Sequence, residues 1–284
     1  MMRLSTRLVV MIVLGLTLLS AAPLAAAPQA ELWPRWEAHD PASTVTIDHG
    51  EWGAFLAEYL VTGDRSGVNL VRYGHVTPDA RRRLQAYIAD LERVPVSALN
   101  RDEQLAYWTN LYNAVTIELI LEHYPVSSIR DIRISGPALN RHPWDAPLVT
   151  VEGERITLND IEHRIMRPIW DDPRIHYAVN CASIGCPNLQ SEPFTGANWD
   201  ELYTRAAREF VNHPRAIDLS GSRPLFSSIY DWYQVDFGGS IAGVVDHALG
   251  YADAPLAERL RAFAATGHRG RPRFEYDWSL NVAR

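Results

Sequence analysis

The chain has 284 residues, of which 47% are hydrophobic and 21% are charged, so it can bury a core and is not intrinsically disordered. All 27 basic residues are arginine, which excludes mechanisms that need a lysine, such as a Walker-type phosphate loop, a Schiff base or a Ser–Lys dyad. The net charge of −7 offers no electrostatic attraction to phosphates, and we expect no nucleic-acid partner.

The first 27 residues have the pattern of a secretory signal peptide. Arg3 and Arg7 precede an apolar run over residues 8–19, and small residues follow over 20–27. The apolar run is too short for a stable membrane span, and no later segment is long and apolar enough for one. We therefore predict a signal peptide over residues 1–27 and a soluble mature protein that is periplasmic or secreted.

Helices dominate the elements predicted for the rest of the chain. The predicted helices cover residues 51–61, 78–93, 101–123, 157–167, 198–211, 227–233, 240–249 and 255–265. The predicted strands form a hairpin at 148–156 and short segments at 175–181, 216–219, 225–227 and 273–276. Capping residues such as Thr77 and Asn100 mark the starts of helices that carry apolar residues at helical spacing. We predict the α+β class, with one helix-rich domain over residues 28–284 and a small, mostly antiparallel sheet.

The helix predicted at 101–123 carries a polar strip of Thr109, Asn110, Asn113 and Thr116. Apolar residues flank this strip, so we expect it to be at least partly buried, and buried amides must be hydrogen-bonded. In one interpretation Asn110 and Asn113 tie loops onto the core. In the other they line a cleft and orient a substrate amide or an oxyanion, which makes them candidates for substrate binding.

The densest group of chemically reactive residues lies between residues 162 and 187, and it contains both cysteines of the chain. Cys181 and Cys186 are five residues apart, a spacing that suits a nucleophile with its neighbour, a small-loop disulfide or half of a metal site. A reactive thiolate needs a nearby histidine or helix N-terminus, and His163 and His176 are the nearest histidines along the chain. A zinc site of these four residues fits no familiar spacing, so we expect no metal.

Acidic residues that could orient an imidazole lie on both sides of the cysteines. Glu162 directly precedes a candidate histidine, and Asp236 precedes a Gly-Gly turn, where it either caps the next helix or orients an imidazole. We name Arg174 and Trp232 as further candidates for substrate binding. The candidate catalytic residues are Cys186 or Cys181 as nucleophile, His176 or His163 as base, and Asp236 or Glu162 as orienting acid. This chemistry requires no cofactor.

A set of short strings, taken in order, identifies a resemblance. The strings are Asn110–Ala114, Ile161–His163, Asp172–His176, Cys181–Ser183 with Cys186–Pro187, Trp232–Tyr233 with Asp236–Gly238, and Tyr276–Asn281. Together they resemble the family called domain of unknown function 547, and the resemblance covers about residues 105–281. An Asn-containing helix followed by a His-bearing strand is loosely similar to papain- and transglutaminase-type thiol enzymes, although Asn110 here takes the place of their cysteine.

Two functional hypotheses follow from the sequence. The first is an exported, thiol-dependent hydrolase of amide or ester bonds. The second is a non-catalytic periplasmic binding module with a structural Cys181–Cys186 disulfide and an aromatic-lined groove for a small molecule, a peptide or a glycan. The redox state of the two cysteines separates these hypotheses.

The signal-peptide prediction is tested directly on the native protein. Mass spectrometry should find the mature N-terminus between residues 26 and 31, because small residues near the end of the apolar run are what a signal peptidase recognises. A native protein that retains Met1 and stays in the cytoplasm would contradict export.

Overall fold

The structure is a computed structural model that describes residues 28–134, 142–268 and 271–283. The predicted signal peptide, residues 1–27, lies outside the described residues. The α+β class is confirmed. The helices are α1 Gly50–Tyr59, α2 Pro78–Glu92, α3 Arg101–His123, α4 Arg167–Trp170, α5 Ile175–Ala178, α6 Trp199–Val211, α7 Ile229–Trp232, α8 Ile241–Leu249 and α9 Ala254–Ala265, with a π-helix at Asp160–Met166.

The strands are short and form three separate small sheets among the described residues. Their bounds are β1 Leu60–Val61, β2 Leu70–Val71, β3 Pro147–Val151, β4 Glu154–Thr157, β5 Ile217–Asp218, β6 Leu225–Ser227 and β7 Arg273–Glu275. The pairs β1–β2 and β3–β4 are antiparallel, and β6 pairs antiparallel with β5 and parallel with β7. The hairpin predicted at residues 148–156 is thus confirmed as β3 and β4. The extent of the single predicted domain stays a prediction.

Two clusters of buried apolar residues make up the core. The first surrounds α3, and the second lies among α6, α7, α8 and α9. Helix α3 is buried on every side over residues 103–117, unlike an amphipathic surface helix. Because its polar side chains have no access to water, they need partners inside the protein, and the Oγ1 atom of Thr116 is an exception that has none.

The first turn of α3 binds two loops that are distant in sequence. The carboxylate of Glu103 accepts hydrogen bonds from the backbone N–H groups of Ile47 at 2.7 Å and Gly196 at 3.0 Å. The amide of Gln104 donates to the carbonyl oxygen of Ala38 at 2.9 Å. These contacts fix the segments before α1 and before α6 against the same helix end.

The two candidate asparagines of α3 also bind backbone groups. Asn110 forms a pair of hydrogen bonds with Phe194, donating to its carbonyl oxygen at 2.7 Å and accepting from its N–H at 3.1 Å. Asn113 donates to the carbonyl oxygen of Ala178 at 3.0 Å and accepts from the N–H of Asn180 at 2.8 Å. The amides therefore tie loops onto the core, which is the first of the two interpretations made from the sequence.

The strand predicted at 175–181 is wrong: the structure has the short helix α5 there, followed by an extended segment. Asp172 accepts a hydrogen bond from the N–H of Arg174 at 2.9 Å, which is an Asx turn, and Pro173 has the fixed φ that suits a helical turn. The predicted alternation of side chains therefore does not apply, and His176 lies on a helical turn rather than on one face of a strand.

The helix predicted at 157–167 is present with a different geometry, as a π-helix over Asp160–Met166 that continues into α4. Its carbonyl groups bind the segment that precedes α1: the N–H of Glu31 donates to His163 and that of Trp33 donates to Arg164, both at 2.9 Å. Such π turns are often found at functional sites. Here the turn carries two of the candidate catalytic residues.

We predict that Asn113→Leu destabilises the protein by about 3 kcal/mol, because it leaves a buried carbonyl group and a buried N–H group without partners. Urea unfolding at neutral pH measures this change. Glu122→Gln, an exposed position on the same helix, is the matched control and should leave stability unchanged. Equal unfolding midpoints for Asn113→Leu and the control would contradict the role given to this amide.

Candidate functional site

A group of charged or titratable side chains around His176 forms the charge cluster, which is defined as Glu162, Arg167, His176 and Asp236. The Nε2 atom of His176 lies 2.6 Å from Oδ2 of Asp236, and its Nδ1 atom lies 3.3 Å from Oε1 of Glu162. Arg167 donates from Nε to the same Asp236 oxygen at 2.6 Å. Both ring nitrogens of His176 thus face carboxylates.

Aromatic rings shield the charge cluster from water. The ring of Tyr233 stacks on His176 with centroids 4.2 Å apart, and Phe237 lies at 5.4 Å from the same imidazole. The guanidinium of Arg167 lies over the ring of Tyr233, 4.9 Å from its centroid. His163 completes the surroundings with its Nδ1 atom 3.0 Å from Arg167. Low polarity around the cluster strengthens each of its ion pairs.

Burial and ion pairing set the protonation states here. Burial raises the pKa of Glu162 and Asp236, but the neighbouring cationic groups and hydrogen bonds outweigh it and bring each pKa to about 2. For His176 burial lowers the pKa, but the hydrogen bond to Asp236 and the nearby Glu162 carboxylate raise it above the ordinary value. His163 has a pKa lowered to about 4, mainly by burial. At neutral pH His163 is therefore neutral and both carboxylates are ionised.

A second group of polar atoms surrounds the cysteines and forms the thiol cluster, defined as Cys181, Ser183, Cys186 and Tyr276. The Sγ atom of Cys181 lies 3.2 Å from Sγ of Cys186, 2.9 Å from Oη of Tyr276 and 3.3 Å from Oγ of Ser183. Both cysteines are free thiols, since a disulfide bond has a length of about 2.05 Å. Cys181 is half-buried, whereas Cys186 is buried.

The loop between the cysteines is held in one conformation by specific contacts. Ala182 has a φ of +56°, in the left-handed region that residues other than glycine rarely adopt. The side chain of Asn180 stabilises this turn by accepting from the N–H of Ala182 at 2.8 Å and donating to the carbonyl oxygen of Pro187 at 2.7 Å. A Cβ atom on Gly185 would lie 2.7 Å from the backbone N of Asp277, so only glycine fits there.

The two thiols differ in acidity. The hydrogen bond with Cys186 lowers the pKa of the Cys181 thiol, and the hydroxyls of Ser183 and Tyr276 add to this effect against the opposing effect of burial. Burial raises the pKa of Cys186 well above the ordinary value for a thiol. Cys181 is therefore the sulfur that more readily becomes a thiolate, which is the nucleophilic form.

The structure brings the candidate catalytic residues together as two separate sets. His176, Glu162 and Asp236 bind one another, while Cys181 and Cys186 bind one another. Among the described residues, no hydrogen bond joins a histidine to either sulfur atom. The charge of Glu162 nevertheless acts on the Cys181 thiol, so the two sets are neighbours.

The remaining two candidates occupy different surroundings. Arg174 forms ion pairs with Asp172 at 2.6 Å and Asp200 at 2.7 Å, which satisfies much of its charge within the protein. Trp232 lies 5.0 Å from the ring of Tyr276 and 5.6 Å from that of Trp278. Trp232 is thus linked through Tyr276 to the thiol cluster, and Arg174 is not.

Four half-buried rings form the aromatic cluster, defined as Trp144, Trp232, Tyr276 and Trp278. The ring of Trp278 contacts the other three, at centroid distances of 5.8 Å to Trp144, 5.6 Å to Trp232 and 4.6 Å to Tyr276. The guanidinium of Arg130 lies 5.1 Å from the Trp278 centroid. An aromatic surface with a cation therefore borders the thiol cluster.

In the part of the chain that the structure describes, no set of three or more His, Cys, Asp or Glu side chains is arranged to hold a metal ion. None of the helices described combines the length and the apolar character that a membrane crossing requires.

Residues 96–211 match the family described as "Protein of unknown function, DUF547", so this segment of the chain is similar to that family. The match confirms the resemblance found from the sequence motifs. It includes α3, both cysteines and His176, whereas Asp236 and Tyr276 lie beyond it. The chain has no match among curated proteins or solved structures, and the expected likeness to papain- and transglutaminase-type enzymes is not confirmed.

Four residues that matter to this site were not singled out from the sequence: Arg167, Ser183, Tyr233 and Tyr276. Ser183 and Tyr276 lie inside the motif strings. Because a hydroxyl group can stabilise a reactive thiolate, their side chains were recognisable as candidates for the site. Tyr233 also lies inside one of these strings, but its stacking on His176 arises only through the tertiary fold. Arg167 carries no local signal, because its partner Asp236 is distant in sequence.

We predict that the stabilising effect of His176 depends on pH. Its folded pKa is above the ordinary 6.5, so its contribution is fully present below about pH 6 and disappears as pH rises through the folded pKa. The difference in unfolding free energy between the wild type and His176→Gln should therefore shrink in alkaline solution. The carboxylates act on the other side, losing their contribution only as pH falls from about 4 towards 2.

Urea unfolding between about pH 5.5 and 9 measures this difference over the range in which the His176 effect changes. His75→Gln is the matched control, because His75 is exposed and its variant should follow the wild type at every pH. A His176→Gln difference that stays constant over the whole range would count against the raised pKa.

Proposed function

We propose that this protein is a thiol-dependent hydrolase of ester or amide bonds in which Cys181 is the nucleophile. One observation carries the proposal: Cys181 is half-buried, and its sulfur has three hydrogen-bonding neighbours within 3.3 Å, at Tyr276, Cys186 and Ser183. Such neighbours favour the thiolate, the form that attacks a carbonyl carbon. Cys186 is the weaker candidate, since it is buried and its pKa is raised.

The proposed reaction proceeds through an acyl-enzyme. The Cys181 thiolate attacks the substrate carbonyl carbon, the ester or amide bond breaks, and the acyl group remains on sulfur as a thioester. Tyr276 donates a proton to the leaving group and later takes one from the water that hydrolyses the thioester. Its hydroxyl lies 2.9 Å from Sγ, and burial raises its pKa well above 10, which keeps it protonated at rest.

The histidines receive a positioning role in this proposal. His176 has carboxylates at both ring nitrogens, and Nδ1 of His163 lies against Arg167, so neither imidazole has a contact that would deprotonate Cys181. Their cluster holds the turn that leads from α5 into the cysteine loop. In this proposal the neighbours that lower the pKa of Cys181 take the place of a histidine base in favouring its thiolate.

Export belongs to the same proposal. The pattern of residues 1–27 supports delivery to the periplasm or the exterior, where the substrate would be a small molecule, a peptide or a glycan derivative. An oxidising compartment favours disulfides, so the fraction of free thiol in the exported protein has to be measured.

A second candidate function, a non-catalytic binding module, is favoured by the aromatic cluster. Half-buried tryptophan rings around Trp278 offer stacking surface for a ring-containing ligand. In this case Cys181 would be inert and ligand affinity would depend on Trp232 and Trp278. The reactivity of Cys181 therefore decides between the two candidates.

We expect iodoacetamide to modify Cys181 in the folded, reduced protein with a midpoint below the ordinary thiol pKa of 9.0, and to leave Cys186 unmodified. Cys181→Ser should lower the turnover of nitrophenyl esters or peptidyl amides by about a thousand-fold or more, without changing the melting temperature. Cys186→Ser keeps a hydrogen-bonding group beside Cys181 and should retain most of the turnover, with the midpoint of Cys181 labelling moved to higher pH at most modestly.

Tyr276→Phe tests the neighbour that we assign to proton transfer. Removing the hydroxyl should move the midpoint of Cys181 labelling to higher pH and lower kcat, whereas Tyr251→Phe, away from the thiols, should do neither. Absence of Cys181 labelling at any pH, or turnover that survives in Cys181→Ser, would rule out the hydrolase.

A further inference from the structure

We propose that Cys181 and Cys186 form a redox-active pair, which interconverts between two thiols and a disulfide by exchange with a disulfide of another molecule. This inference rests on the reactive Cys181 of the proposed function, but it does not depend on hydrolysis. In the proposed hydrolysis no bond forms at Cys186, whereas in the redox reaction Cys186 forms the internal disulfide.

The geometry of the loop brings the sulfurs almost to bonding distance. They lie 3.2 Å apart, and a disulfide would require them to approach by only about 1 Å. The loop between the cysteines is anchored to a distant segment, because the N–H groups of Ile184 and Gly185 donate to the carbonyl oxygens of Ser279 and Asp277, each at 2.8 Å. The two sulfurs are therefore already close together in the thiol form, and forming the disulfide needs no large change of the loop.

The two thiols differ in the way that an exchange reaction requires. Cys181 is half-buried and can meet a disulfide from outside, whereas Cys186 is only 4% exposed and contacts the sulfur of Cys181. The directions of the pKa shifts agree with this division, because Cys181 is the more acidic thiol. An accessible attacking thiol beside a buried resolving thiol is a typical arrangement for disulfide exchange.

A half-buried cation, Arg215, interacts with the resolving thiol. The guanidinium of Arg215 donates to the carbonyl oxygen of Ile184 at 3.1 Å and to the side chain of Asn188 at 2.7 Å, and its charge interacts with Cys186. Its Nε atom is buried and has no hydrogen-bond partner. This positive charge stabilises the Cys186 thiolate that forms during the second exchange step.

The reaction balances as two successive exchanges. The Cys181 thiolate attacks one sulfur of an external disulfide, forms a mixed disulfide with it and releases the other half as a thiolate. Cys186 then gives its proton to the released thiolate and attacks Sγ of Cys181, which forms the internal disulfide and releases the second half. The second half leaves as a thiolate and takes up the proton that Cys181 had lost on ionising. The protein thus loses two electrons and two protons, and the external disulfide is reduced to two thiols.

Oxidation would also control the hydrolytic reaction. The internal disulfide leaves no thiolate at Cys181, so the oxidised protein cannot form an acyl-enzyme. Reduction restores the nucleophile, because the loop contacts that involve Asp277 and Ser279 do not use the sulfur atoms.

The test exposes the full reduced chain to oxidised glutathione and follows its intact mass. The wild type should lose two hydrogen atoms and retain no glutathione, and a reductant should return both thiols. Cys186→Ala should instead accumulate one glutathionyl group on Cys181, because no resolving thiol is present. Cys181→Ala should react with glutathione far more slowly than Cys186→Ala does.

Each other outcome gives a distinct answer. A stable glutathionyl group on wild-type Cys181 would overturn the redox pair, and it would leave the nucleophile of the hydrolase in place. Equal reaction of the two alanine variants would also overturn it. An internal disulfide in a protein that hydrolyses no ester or amide would support the redox pair and contradict the hydrolase. A Cys181 inert to both glutathione and iodoacetamide would remove both proposals.

Discussion

The need to satisfy polar groups on a fully buried helix shapes this structure more than any other constraint. Glu103, Gln104, Asn110 and Asn113 lie on α3 with no access to water, and each binds the backbone of a loop. A buried amide without a partner is costly, so the loops cannot drift away from the helix without a penalty of a few kcal/mol each. The helix is thus the reference against which irregular segments are positioned. The turn that carries His176 is one of them, since Asn113 holds the backbone at Ala178.

The charge cluster joins the two halves of the core. Ile175 belongs to the apolar cluster around α3, and Tyr177 belongs to the cluster around α6 to α9, so His176 lies on the boundary between them. Burying ions there costs desolvation energy, and their mutual attraction offsets this cost only when the geometry is correct. An arrangement of this kind favours one relative placement of the segments that carry Glu162, His176 and Asp236.

The parts of the fold that depend on local sequence could be predicted, and those that depend on tertiary contacts could not. The helices at 78–92 and 101–123 have capping residues and apolar periodicity, and their bounds were found to within a residue or two. The segment 175–181 looks like a strand by composition, but an Asx turn and the distant Asn113 impose a helical turn and an extended segment. The partnership of His176 with Asp236, 60 residues away, and of Cys181 with Tyr276 has no local signature at all.

The attachment of residues 276–283 also sets the order in which the thiol cluster can be built. This segment binds the cysteine loop through the N–H of Asn281 to Ala182 and forms isolated bridges with Ser183 and Val71. Tyr276 emerges from the ribosome 95 residues after Cys181, so the sulfur exists for much of synthesis without the hydroxyl that acidifies it. The unfinished chain therefore lacks one of the contacts that lower the pKa of Cys181, the others being those with Cys186 and Ser183. Correct placement of residues 276–283 completes the hydrogen bonds around this sulfur.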